Sequence, residues 1–146
     1  MAITTQVMTD EQRKSVALEY LKRLDRGDDF FELFADDIQL YFPKYGVVNG
    51  VEAARKLFAS TANIIASVAH DYAYFNFIIQ GDMVVAEGTS SGATTKGIEW
   101  RAGVTQAGRW CDVFEIRDFK IQRLFIYLDP DYGDEDTARY PWLNQK

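Results

Sequence analysis

The chain contains one histidine, His70, so any imidazole chemistry near neutral pH must use that side chain. A second reactive candidate is Asp112, inside Arg109-Trp-Cys-Asp-Val-Phe-Glu-Ile-Arg117. In a strand, alternate side chains point to opposite faces, so Trp110, Asp112, Phe114 and Ile116 share one face. If that aromatic face is the inner one, Asp112 is a carboxylate among apolar neighbours. Burying an unpaired carboxylate is costly, so Asp112 must find a partner or keep a proton. Either Trp110, Tyr20 or Arg101 satisfies it and it serves structure alone, or it faces a ligand. Asp25 is the third candidate. It lies near a helix C-terminus, where the helix dipole disfavours a carboxylate. It is either a solvated helix-end residue or is kept there for another reason. Tyr20 is either helix core or pocket lining.

The elements that must position these residues follow from pattern. Thr9-Asp-Glu-Gln12 has the form of a capping box, Ala17, Tyr20, Leu21 and Leu24 follow at helical spacing, and Gly27 supplies a stop. A short second helix is expected over 29–34 and a strand over 39–42, ended by Pro43, with a loop over 44–49. Asn49 is then the expected cap of a third helix, with Glu52 three residues on and Ala54, Leu57, Phe58, Thr61 and Ile65 as its inner stripe. From Ser67 the period becomes alternating. Residues 72–79 and 83–88 read as strands joined by the hairpin signal Gln80-Gly-Asp82, and 89–99 as a ragged strand end or a loop. The stretch 109–129 is two strong strands around Arg117-Asp-Phe-Lys120, rich in β-branched and aromatic residues.

Helices first and strands after give an α+β fold rather than an alternating one. The expected architecture is a cone-shaped α+β barrel, with three N-terminal helices packed in a strongly curved, mostly antiparallel sheet. A small ligand would sit in the cone between sheet and helix. The length of 146 residues points to one domain, with a core over about 9–129 and a tail over 130–146. Apolar residues make up 47%, enough for a core without staples, and one cysteine permits no disulfide within the chain. No segment reads as a signal peptide or a membrane span, so a cytoplasmic location is expected. The net charge of −6 and the scattered basic residues argue against a nucleic-acid partner.

Four stretches in order resemble the nuclear transport factor 2-like superfamily, and within it the SnoaL-like group: Tyr20-Leu-Lys-Arg-Leu-Asp-Arg-Gly-Asp28, Leu33-Phe-Ala-Asp-Asp37, Asn49-Gly-Val-Glu-Ala-Ala54, and Asp112-Val-Phe-Glu-Ile-Arg-Asp118 leading into Lys120-Ile121. The resemblance implies the cone fold, but the superfamily includes isomerases, dehydratases, cyclases and members without chemistry. It implies that Tyr20 stands where ketosteroid isomerases keep an oxyanion-donating tyrosine. Asp112 likewise matches their protonated aspartic acid and the acid/base aspartate of polyketide cyclases. Their general-base aspartate aligns with Phe42, and the aspartate of limonene epoxide hydrolases with a place near Ile126, so both activities are disfavoured. Scytalone dehydratase and hexachlorocyclohexane dehydrochlorinase are similar in using an aspartate late in the first helix and a histidine early in the third strand, places that correspond to Asp25 and His70.

The reading that follows is a lyase- or isomerase-like protein without cofactor. His70 is the base, Asp25 its orienter, and Asp112 with Tyr20 the electrophilic side. Tyr41, Phe42, Phe58, Trp110, Phe114, Leu124, Ile126 and Leu128 are the expected walls for a small, mostly apolar, oxygenated ligand, though each also suits plain core. The alternative is a non-catalytic ligand-binding or dimerisation module. Glu115, Arg117, Arg123, Phe125 and Tyr127 fall on the outer face, and exposed rings beside charges there suggest a partner; the resemblance implies a homodimer paired sheet to sheet. The Tyr140-Pro-Trp142 tail is expected to pack on the body or on the other subunit. Gly88-Thr-Ser-Ser-Gly92 matches G-x-S-x-G but lacks a following helix, and the acidic run 129–136 fails the calcium-loop spacing. No metal site is expected from one His and one Cys. Cys111 points away from Asp112 on a regular strand and reads as a packing or interface residue.

Overall fold

A computed structural model describes residues 7–133 of the chain. Helix α1 (Asp10–Arg26) begins as its sequence dictates. The Gln12 N–H donates to Thr9 Oγ1 at 3.2 Å, and the Thr9 N–H donates back to the Gln12 side chain at 2.9 Å. It ends at Gly27, whose φ of 74° is the left-handed conformation that glycine adopts without strain. The Gly27 N–H then reaches Leu24 O and the Asp28 N–H reaches Arg23 O, at 3.2 and 2.9 Å. This double closure fixes the last turn, and Asp25 lies inside it. Val16, Ala17, Tyr20 and Leu21 form the buried face.

The second helix is absent. Phe31–Leu33 is a single 3-10 turn, set by the Phe31 N–H donating to Asp29 Oδ1 at 2.9 Å. The chain straightens at Phe34 into strand β1 (Phe34–Phe42), longer than the expected 39–42 because it runs through an irregularity at the exposed Asp36-Asp37. The stretch 44–49 is not all loop: β2 (Gly46–Asn49) folds back antiparallel on β1. Asn49 therefore belongs to a strand and does not cap a helix. Gly50 takes the cap position before α2 (Val51–Thr61), without a side-chain bond. Ile65 lies beyond the helical stripe, opening β3 (Ile65–His70). Among the described residues there are thus two α-helices rather than three.

The remaining strands are β4 (Asn76–Gln80), β5 (Met83–Thr94), β6 (Glu99–Arg101), β7 (Arg109–Arg117) and β8 (Lys120–Leu128). The expected strand over 72–79 is split, its first residues forming a 3-10 turn at Tyr72–Tyr74. The Ser- and Thr-rich residues after 88 continue β5 as far as Thr94. The curved, unclosed sheet runs β2-β1-β8-β7-β5-β3, with β4 and β6 also on β5. Only β1 with β8 is parallel among the strand pairs. The β7–β8 hairpin has the expected register, Asp112 opposite Ile126 and Phe114 opposite Leu124, and turns through Asp118 and Phe119 at φ of 51° and 59°.

The inner row of β5 shrinks along its length, Val84, Ala86, Gly88, Ser90, and its last member, Ser90, lines the cavity between sheet and helices. Its register partners on β7 include Phe114, Asp112 and Trp110. A Cβ at Gly88 would lie 2.8 Å from both the Phe75 and Trp110 rings. Glycine there is a packing requirement. Replacing Gly88 by Val should therefore destabilise the fold by about 1–3 kcal/mol, the usual cost of overpacking, measured as a lowered urea midpoint with unchanged slope.

Candidate active site in the cone

Asp25 and His70 are brought together from α1 and the end of β3. His70 Nδ1 lies 2.5 Å from Asp25 Oδ1. The His70 backbone N–H and the Tyr72 hydroxyl donate to the other carboxylate oxygen at 2.9 and 2.8 Å. The two side chains are 9% and 14% exposed. Burial pushes the Asp25 carboxyl up, but the donors from His70 and Tyr72 and the attraction of the ring outweigh it and hold the group below its usual range. An ionised Asp25 accepts from Nδ1–H, which leaves the lone pair of neutral His70 on Nε2. The ring meets Trp110 edge-on, centroids 5.1 Å apart at 89°.

Both residues line a cavity of about 960 Å³ that Tyr20 and Asp112 also line. Asp112 is 3% exposed. Neither Trp110, Tyr20 nor Arg101 satisfies it: among the described residues nothing hydrogen-bonds to its carboxyl. Ala86 and Ile126 are its partners on the flanking strands. Burial without a donor raises its pKa to about 8, so it carries a proton at neutral pH. Tyr20 is buried against Phe30 and Phe114, and burial, reinforced by Asp112 and Asp25, holds its hydroxyl protonated. The cavity wall thus carries His70 with its acceptor Nε2, and Asp112 and Tyr20 as neutral donors, among other polar side chains such as Ser90, Tyr132 and Asp129. The Trp110 indole N–H is buried and has no partner among the described residues.

Of the expected wall, Phe42, Phe58, Trp110, Ile126 and Leu128 line the cavity. Tyr41, Phe114 and Leu124 do not. On β1 the alternation turns Phe42 inward and Tyr41 outward, where it packs on Phe125 and Tyr127 at 5.6 and 5.5 Å. Phe114 and Leu124 are fully buried as a cross-strand pair in the core. Phe30, Phe31, Ser90 and Tyr132 also line the cavity and were missed by pattern alone. Ser90 was legible in principle, since it continues the inward row of β5 once 89–94 is taken as strand. Cys111 is half-buried on the outer face, away from the cavity. Tyr140-Pro-Trp142 lies outside the described residues.

The open curved sheet closed over α1 and α2 is the cone fold of nuclear transport factor 2-like proteins. Solved structures with this architecture include a protein of that fold from Burkholderia pseudomallei K96243 (TM-score 0.70, 16% identity, 89% of this chain and 97% of that one). TerC co-crystallised with polyporic acid is similar over 90% of this chain and 97% of its own (TM-score 0.68, 17% identity). A de novo designed protein with a curved β-sheet is similar over 94% and 100% (TM-score 0.61, 19% identity). At these identities the likeness is one of fold. The chain belongs to the SnoaL-like domain family, whose pattern matches residues 17–124. No curated protein matches it. Among the described residues no helix is long and apolar enough to cross a membrane.

The raised pKa of Asp112 has a sign that can be tested. Between the ordinary carboxyl range and about 8 the folded protein keeps a proton that the unfolded chain has released. Stability from this group is full below the ordinary range and is lost as pH rises toward 8. Asp112→Asn removes that dependence. Its stability relative to the parent protein should grow from pH 4 to pH 8, by at most about 1.4 kcal/mol per pH unit, in urea titrations at successive pH values.

Proposed function

We propose that this protein is a small-molecule lyase or isomerase working without a cofactor, by proton abstraction followed by elimination, isomerisation or cyclisation. The observation that carries this reading is the Asp25–His70 contact on the wall of a cavity that Asp112 also lines. His70 Nε2 takes a proton from carbon beside an oxygenated group of the ligand. Asp25 holds the ring and stabilises the imidazolium that forms. As charge gathers on the ligand oxygen, the Asp112 carboxyl and the Tyr20 hydroxyl donate to it. The imidazolium then returns the proton, to the leaving hydroxyl in an elimination or to another carbon in an isomerisation. The aromatic walls Phe30, Phe31, Phe42 and Phe58 suit a mostly apolar ligand.

Screening hydroxylated and carbonyl-bearing carbocycles with the parent protein, followed by variants on any substrate found, tests this reading. His70→Ala should lose roughly a hundred- to ten-thousand-fold in kcat, and full turnover by that variant would sink the proposal. If Asp112 works as a donor, activity should fall as pH rises through about 8 and that limb should disappear in Asp112→Asn. The alternative, a non-catalytic ligand-binding or dimerisation module, is favoured by Phe42 standing where related isomerases keep their base. It predicts saturable binding with no turnover in either protein.

The outer face supports a homodimer. Tyr41, Phe125 and Tyr127 form a cluster of rings there, Arg123 stacks 3.6 Å above Phe125, and Tyr127 is 47% exposed. Sedimentation equilibrium should give a dimer for the parent chain and a monomer for Tyr127→Glu. A parent chain that is monomeric at all accessible concentrations would reject the pairing.

A further inference from the structure

The turn after β3 grips Asp25 from outside the cavity. Tyr72 is not part of the cavity wall, yet its hydroxyl donates to Asp25 Oδ2 at 2.8 Å. That oxygen also accepts the His70 backbone N–H, at 2.9 Å, while Oδ1 meets the ring. A carboxylate with two donors on one oxygen and one on the other cannot rotate about its Cβ–Cγ bond without losing a bond. Without Tyr72, the backbone N–H alone would hold Oδ2.

Tyr72 is itself held in place. Its ring packs on Phe75 at 4.9 Å, Phe75 meets Trp110 edge-on at 4.9 Å, and Trp110 meets His70 edge-on at 5.1 Å. Asp71, one residue before it, is tied to β5 twice. Its N–H donates to Thr89 O at 3.0 Å, and Thr89 Oγ1 donates to its carboxylate at 2.8 Å. The Tyr74 N–H closes the turn on Asp71 O at 3.0 Å. The turn is thus anchored at one end to the strand that faces His70 and at the other to the rings that surround it. Burial, together with the bond to Asp25, pushes the Tyr72 hydroxyl well up, so it remains a donor throughout the neutral range.

We infer that Tyr72 is a positioning residue for the Asp25–His70 pair: its hydroxyl, together with the His70 backbone N–H, fixes the rotation of the Asp25 carboxylate and thereby biases which ring nitrogen of His70 carries the proton. The consequence for catalysis rests on the function proposed above; the positioning itself can be read without any substrate. A hydroxyl acting only on stability would leave the tautomer of His70 unchanged.

His70 is the only histidine, so its ring nitrogens give unambiguous nitrogen-15 signals. In the full-length protein, at a pH where the ring is neutral, the parent should show the proton on Nδ1 and a bare Nε2. Tyr72→Phe keeps the ring stacked on Phe75 and removes only the hydroxyl. The ratio of Nδ1–H to Nε2–H forms should fall roughly two- to tenfold, the equivalent of one lost hydrogen bond, and the two nitrogen shifts should converge. Tyr74→Phe, in the same turn but 75% exposed, should change nothing. Circular dichroism at the same temperature establishes that each variant is folded. An unchanged ratio in folded Tyr72→Phe overturns the inference, as does an equal change in Tyr74→Phe. These results are distinct from failure of the proposed reaction, which would appear as a pinned His70 in a protein that turns over no substrate.

Discussion

The contact between Asp25 and His70 is the constraint on which the site depends. It joins the last turn of α1 to the last residue of β3, forty-five residues apart in the chain. A carboxylate at a helix C-terminus is unfavourable on both counts that apply here, the dipole and partial burial. Three donors offset that cost, two from His70 and one from Tyr72. The double closure of α1 at Gly27 keeps the turn carrying Asp25 from fraying, so the carboxylate is presented at a fixed height above the sheet.

The same cavity places two aspartates in opposite environments. Asp25 has three donors, and its carboxyl is held below the ordinary range. Asp112 has none, and burial raises it to about 8. One is therefore an anion beside an imidazole and the other a neutral acid on the same cavity wall. Environments that separate like groups in this way are what the proposed acid and base roles require. On β5 the inner row narrows from Val84 to Gly88, and the absence of a side chain at Gly88 makes room for the Trp110 ring that lines the cavity.

Much of the architecture was legible because local rules and tertiary packing agreed. The capping box at Thr9, the stop at Gly27 and the alternation through 110–128 all describe interactions that close within a few residues. The errors arose where distant pairing overrode local pattern. Residues 46–49 carry loop signals and become a strand because β1 offers a free edge. Phe34 leaves a helical pattern to pair with Ile121. The Ser- and Thr-rich continuation of β5 has weak strand character, and it is ordered by β3 on one side and β6 on the other. Tyr41 and Phe42 are neighbours on β1, so alternation lets only one of them face the cavity, and that one is Phe42.

By itself the sequence determined the class of fold, the inner face of β7 with Asp112 on it, and the fact that any histidine chemistry belongs to His70. Those follow from periodicity and from residue identity, which need no knowledge of distant neighbours. Only the tertiary structure decided that Asp112 has no hydrogen-bond partner among the described residues, that Asp25 reaches His70, and that Tyr72 completes the shell. Each of these depends on where separate elements meet, and hydrogen bonds discriminate between positions a fraction of an ångström apart, a precision that no spacing along the chain encodes.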